Sequence, residues 1–338
     1  MSVLTIVVPS YNSADYLERC LDSILVGGAD VEILVIDDGS VDATGTIADE
    51  YESRHPGTVR ALHQANGGHG AAINAGLAAA TGDYVKIVDS DDWVDEVSLL
   101  ALIALLRQFG DDGTAVDMVI SNFVYEKVGK RAKTAVRYRD VLPEGRVFGW
   151  DEVGRFAARQ YMLMHSLVYS TPLLRGSGML LPRHTFYVDN LYAFQPLPHV
   201  HRMFYLDVDL YRYFIGRDGQ SVNEEVMLGR LHQHMRVTRR MMRHLPRRGT
   251  VPDGLARYMS HYFEITCAVA SALSVRAGTP AALRQRDALW ADIHAWDPAL
   301  FWRLRRRMLA VVANLPGRPG RHVTVLAYRA ARKAVGFN

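Results

Sequence analysis

Strand-like and helix-like segments alternate through the first 124 residues, and this alternation limits the fold more than any other feature. Short apolar runs stand at 4–9 (LTIVVP), 31–38 (VEILVIDD), 58–64 (TVRALHQ), 83–89 (DYVKIVD) and 117–124 (VDMVISNF). Between them lie stretches of helical spacing at 14–25, 42–54, 69–80 and 96–109. Such a chain builds a parallel sheet with right-handed crossovers and helices on its faces. Ligands of these sheets bind beyond the carboxyl ends of the strands. Three runs deliver polar groups to that rim, at Pro9-Ser10, Asp37-Asp38 and Asp89-Ser90-Asp91.

The stretch DYVKIVDSDDW (83–93) sets a question of charge, because Asp89, Asp91 and Asp92 repel one another where an apolar run ends. A solvated acidic turn capping the next helix would explain it. So would a site for a hard divalent cation, which takes oxygen ligands and tolerates clustered carboxylates. The second acidic strand end at Asp37-Asp38 favours the cation. No Walker loop is present and no G-x-G-x-x-G follows the first run, so the usual P-loop and dinucleotide chemistries lose ground. The glycine cluster NGGHGAA (66–72) opens a helix, either as a tight turn or as a set of N–H groups for a phosphate.

Four ordered segments, VPSYNSADYLERCLDSI, VEILVIDDGSVDATG, NGGHGAAINAGLAAATGDYVKIVDSDDW and the later FYVDN, together resemble glycosyltransferase family 2. The resemblance is dense over 3–125 and thin to about 222. It implies an α/β chain of the GT-A type, with one central mostly parallel sheet flanked by helices. It implies an inverting sugar transferase with a nucleotide-diphosphate sugar donor, UDP by default, and Mn2+ or Mg2+ as cofactor. The acceptor would be a glycan or a lipid-linked molecule of the cell envelope. A catalytically inactive binding protein of the same fold is the alternative, as is a transferase acting on a soluble natural product or peptide.

Position by position, the resemblance places Pro9, Tyr11, Asn12 and Asp38 against the nucleotide. Asp89, Ser90 and Asp91 form the Asp-x-Asp motif, with Asp91 as the direct metal ligand and Asp89 beside it. Many members carry an Arg where Ile73 stands, just before Asn74, which is counted with the donor-binding set. Lys86 either supplies the missing charge to a donor phosphate or extends to solvent at the sheet margin. Asp189 in FYVDN aligns with the general base of the family, although Val188 replaces the acid that precedes it. The plainer reading of Asp189 is a helix N-cap. GRDGQSVN (216–223) resembles a loop closing over the site, with Arg217, Gln220 and Ser221 reaching phosphate or acceptor, or else is a hairpin turn. His165, alone in an apolar stretch, reads as a core residue, and His232 and His234 lack a ligand context.

The expected catalytic domain spans 1–222, divided into a nucleotide-sugar half (1–125) and an acceptor half (126–222). Within the latter, VYEKVGKRAKTAVRYRD reads as a polar hairpin and FYLDVDLYRYFIG (204–216) as β. A helical, basic region follows at 223–338. There the charge is lopsided: residues 298–338 hold nine Arg or Lys and no acid, and 226–252 hold seven Arg and no acid, in a chain of net charge only +3. This suggests an anionic partner. No nucleic-acid motif is present, so the expected partner is an anionic membrane surface. A stripe of Phe301, Leu304, Met308, Val311, Val312 and Leu315 would enter it, unless it packs on the chain's own catalytic domain. Two distant cysteines, Cys20 and Cys267, suit a reducing compartment. With no basic leader and no apolar run long enough to span a bilayer, the expected location is the cytoplasm, peripheral to the inner face of the membrane.

Overall fold

In the computed structural model, which describes residues 2–129, 133–216, 223–247, 249–306, 311, 315 and 317–335, β1 (Leu4–Ser10) and β2 (Val31–Asp37) are buried at every position. That is the pattern of central strands covered on both faces. Around them stand α1 (Ala14–Leu25), α2 (Thr44–Arg54), β3 (Val59–His63), α3 (His69–Ala79), β4 (Tyr84–Ile87), β5 (Trp93–Val94) and α4 (Glu96–Asp111). The alternation stops there, and β6 (Met118–Ile120), β7 (Phe123–Lys127), β8 (Thr134–Val136), β9 (Val147–Phe148) and β10 (Leu167–Ser170) follow with no α-helix between them among the described residues. Then come α5 (Thr171–Gly176), α6 (Asp189–Phe194), β11 (Met203–Tyr205) and β12 (Tyr211–Ile215).

The main sheet runs β3-β2-β1-β4-β10-β6-β11-β9. All of its strands point one way except β10 and β9. Ser10 pairs with Asp37 and Asp37 with His63, so β1, β2 and β3 end level with one another. This gathers the strand-end residues at a single rim.

A second sheet, β5-β12-β7-β8, stands beside the first. It exists because two apolar runs are each broken. VDMVISNF is not one strand: β6 lies in the main sheet, β7 in the second, and the chain changes sheets at Ser121-Asn122. The run at 204–216 breaks in the same way between β11 and β12. Asn122, wholly buried, pins both crossings. Its Oδ1 accepts from the Tyr205 hydroxyl (2.7 Å), and its Nδ2 donates to Asp207 (2.7 Å) and Asp209 (3.1 Å). The polar hairpin expected after 125 is present as the antiparallel pair β7–β8.

The chain divides into two compact units, one of Met1–Gly154 with Met162–Phe214, the other of Arg155–Tyr161 with Ile215–Asn338. The second is helical: α7 (Glu224–Gly229), α8 (Leu231–Arg243), α9 (Asp253–Ala277), α10 (Pro280–Trp296), α11 (Pro298–Arg305) and a C-terminal helix, Gly317–Val335. Thr279 and Asp297 cap α10 and α11 by accepting from Ala282 and Leu300 N–H groups. Phe156 and Tyr161 pack their rings on Tyr258 and Tyr262 of α9. Leu300 and Leu304 are buried, and Phe301 packs edge-on against Trp290 and His294. The first turns of the stripe expected to meet a membrane are therefore spent inside their own unit. Met308 and Val312 lie outside the described residues.

Candidate active site

The Asp89–Asp92 turn hangs from the end of β4, closed by the Asp92 N–H donating to the Asp89 carbonyl at 2.9 Å. Tyr211, the first residue of β12, pins it from below. Its hydroxyl accepts from the Asp89 N–H (3.2 Å) and donates to Asp92 Oδ2 (2.5 Å). The other Asp92 oxygen accepts from the Phe214 N–H at 2.7 Å. Asp92 is only 1% exposed, and burial with Asp89 beside it pushes its pKa well up. It is the anchor of the turn, while Asp89 and Asp91 are partly exposed at the rim.

Loops from the neighbouring strands join this turn. The Ser90 hydroxyl bonds that of Ser13 at 2.7 Å. Asn12 sits at φ 49°, a backbone region costly for most side chains. It accepts from the Val41 N–H and donates its own N–H to Ser40. Asn12 thus fixes the loop after β1 to the loop after β2. Pro9 is buried beneath, and Tyr11 is 51% exposed, open to a ligand. Asp38, buried, accepts from Gln64 Nε2 (2.6 Å), Gly67 N–H (2.9 Å) and Gly68 N–H (2.7 Å), so both its oxygens shape the glycine loop.

The glycine loop carries a group that sequence reasoning passed over. His69, the first residue of α3, places Nε2 at 2.8 Å from Asp89 Oδ1. Burial pulls its pKa down, but Asp89, with Asp189 and Asp38 also within electrostatic reach, more than offsets this and the net shift is upward. The signal in the sequence was positional: a histidine opening a helix right after a strand-end glycine cluster points at the rim.

The same glycines seat the segment that bears Asp189. The His184 N–H donates to the Gly67 carbonyl at 2.6 Å. A Cβ on Gly68 would lie 3.0 Å from the His184 nitrogen, and one on Gly70 would lie 2.7 Å from the Pro182 carbonyl. His184 and Tyr187 both hold positive φ. Asp189 follows as the first residue of α6, whose N-cap is Val188 and has no side-chain cap bond, so Asp189 is not an N-cap. Burial, with Asp89 adding to it, raises the Asp189 pKa despite the opposing influence of His69.

Two expected donor contacts are corrected by their surroundings. The Asn74 amide is committed to the backbone of Leu181, donating at 2.9 Å and accepting at 3.1 Å. It clamps α3 to the Asp189 segment. Lys86 neither reaches solvent nor lies open to a phosphate. It is 0% exposed and its Nζ donates to the His165 carbonyl at 2.7 Å. Burial lowers its pKa to about 7. His165 is buried, as expected of a core residue, stacked on Tyr211 with its Nδ1 lacking a hydrogen-bond partner. Arg217, Gln220 and Ser221 lie outside the described residues.

Two donor sets could meet a cation. Asp89, Asp92 and His165 bring one ligand atom each within 4.8 Å of one another, but Asp92 and His165 are buried and both Asp92 oxygens are already committed. Asp89 and Asp91 offer hard oxygen ligands at the open rim, the chemistry Mg2+ and Mn2+ require. The rim pair fits better.

Comparison with known proteins agrees with this geometry. Residues 5–167 match the family model described as glycosyl transferase family 2. The putative glycosyltransferase EpsH of Bacillus subtilis is 34% identical over 167 residues, 45% of this chain and 46% of EpsH, so less than half the length of that relative is represented. TarS of Staphylococcus aureus, a poly(ribitol-phosphate) beta-N-acetylglucosaminyltransferase, is 25% identical over 227 residues, 66% of this chain and 37% of TarS. The structure of TarS 1–349 in complex with UDP-GlcNAc superposes with a TM-score of 0.69 at 19% identity, covering 98% of this chain and 92% of that one. The mannosyltransferase PcManGT of Pyrobaculum calidifontis, solved with GDP-Man and Mn2+, gives a TM-score of 0.54 at 21% identity over 99% of this chain and 86% of its own. The fold is the GT-A fold, with a helical C-terminal region.

Proposed function

Residues 5–167 belong to glycosyltransferase family 2, and from that premise we propose that the chain transfers a sugar from a UDP-sugar to an acceptor hydroxyl with inversion at the anomeric carbon. The observation that carries this reading is the glycine loop at the strand ends: Asp38 accepts from its Gly67 and Gly68 N–H groups, His69 beside them bonds Asp89, and the same loop seats the segment that leads to Asp189. Tyr11 and Asp38 border the nucleotide. A divalent cation, held by Asp89 and Asp91, would offset the charge that grows on the departing diphosphate. Asp189 takes the proton of the acceptor hydroxyl as its oxygen bonds the anomeric carbon and the bond to the diphosphate breaks. Its raised pKa brings it nearer to working pH, where a general base is most effective. The likeness to TarS, a poly(ribitol-phosphate) beta-N-acetylglucosaminyltransferase solved with UDP-GlcNAc, supports an N-acetylhexosaminyl donor and a hydroxyl of a polyol-phosphate polymer as acceptor.

Asp189→Asn keeps the shape of the side chain and removes its basicity. Turnover is expected to fall by roughly 10²–10⁴, with UDP affinity unchanged. In the parent protein kcat/KM should decline as pH drops through a value above the ordinary aspartate range, because it is the ionised form that works. Near-normal turnover in the variant would remove Asp189 from the role. Retention of anomeric configuration, read by NMR of the product, would remove the single displacement.

A further inference from the structure

The C-terminal helix Gly317–Val335 packs against α9 and turns Thr324 inward. Its other side carries Val323, Leu326, Ala327 and Ala330, spaced i, i+3, i+4, i+7 on one helix face, and all four are exposed. Val323 is 48% exposed and Leu326 64%. α11 repeats the arrangement. With Leu300 and Leu304 buried, its outer face bears Ala299, Trp302 and Arg303, with Arg306 just past its end, and Trp302 is 55% exposed. Neither face is the stripe that the sequence pattern picked out.

Charge says what can cover these faces. Residues 298–338 hold nine basic side chains and no acid. A second copy would bring one carboxylate-free basic segment against another. A nucleic acid would satisfy the arginines but leave the Val–Leu–Ala stripe in water. An anionic bilayer satisfies both, since aliphatic side chains and tryptophan settle at headgroup depth while arginines meet lipid phosphates. Among the described residues no helix is long and apolar enough to cross a membrane, so contact of this kind is interfacial.

We propose that the C-terminal segment is a peripheral membrane anchor that inserts the Val323–Leu326–Ala327–Ala330 stripe and Trp302 into the headgroup layer of an anionic bilayer. The inference stands apart from the catalytic reading and is tested without turnover. The full chain is floated with phosphatidylcholine vesicles, with and without phosphatidylglycerol, at low and high salt. It should float only with the anionic vesicles and lose most binding at high salt. Val323→Asp/Leu326→Asp and, separately, Trp302→Ser should each lower the partition coefficient about tenfold or more, with far-UV circular dichroism and melting temperature unchanged. Trp302 is outward-facing, so this second variant guards against a folding defect in the first. Absence of flotation with anionic vesicles would overturn the proposal, as would equal flotation of parent and both variants. So would a dimer in light scattering that Leu326→Asp disperses, or retention on DNA but not on vesicles.

Discussion

The His69 imidazole bonds Asp89 at 2.8 Å, with Asp189 and Asp38 also acting on its charge. Its hydrogen bond to Asp89 and its reach to Asp189 make it a positioning residue for two groups with different tasks. Because its pKa is raised, the stability it contributes is present at low pH and is lost as pH rises through that raised value. His69→Ala should cost about 1 kcal/mol in chemical denaturation, the scale of one partly exposed charge-assisted bond. It should also move the acid limb of kcat/KM to higher pH, since Asp189 loses a neighbour that lowers its pKa. His69→Gln should recover the stability and not the limb. A limb unmoved by either variant would separate His69 from Asp189. Asp38 and Asp89 were legible in the sequence because a carboxylate closing an apolar strand gives up hydration there and regains it only from a ligand or a loop it organises. His69 was not, since glycine-rich turns tolerate any polar residue. Lys86 was misplaced because a lysine within an apolar run suggests a sheet margin, whereas all four residues of β4 are buried.

At the level of elements, hydrophobic pattern revealed where strands exist and concealed where they break. β6 and β7 are apolar on both sides of Ser121-Asn122, so no change of period marks the passage between sheets. The passage depends on Asn122 satisfying Tyr205, Asp207 and Asp209 at once, a requirement met in space and not along the chain. Asn122→Leu fills the same volume but removes three hydrogen bonds at once, leaving Tyr205 its bond to Asp207, and Asp207 and Asp209 their pairs with Arg139 and Arg137. It should destabilise the first unit by about 3 kcal/mol, measured by denaturant titration. Because β12 also presents Tyr211, which pins the Asp89–Asp92 turn, manganese-dependent UDP binding should weaken in the same variant. A stability loss with undiminished UDP binding would show that the turn holds its shape without β12.

For the whole molecule, the division at Phe214–Ile215 separates the residues of the rim from the basic helices. A chain built this way should not melt as one. UDP with Mn2+ at about a hundred times its Kd adds about 2.7 kcal/mol to whatever binds it. In calorimetry two transitions are expected, of which only one moves with this ligand. A single transition, or two that move together, would mean the units unfold jointly. The helical character of the C-terminal region was readable from its pattern, but which faces it keeps outward was not, because that depends on which residues α9 and α10 cover. Within the first unit, the seating of the Asp189 segment on the glycine loop bears on inheritance and on grafting. Gly68 and Gly70 have no room for a side chain beneath His184 and Pro182, and Asn74 is matched to the backbone of Leu181. Substitutions on one side are therefore viable only with partners on the other. A segment 181–189 borrowed from another transferase to alter its acceptor would arrive without a surface to rest on, unless residues 66–74 travel with it.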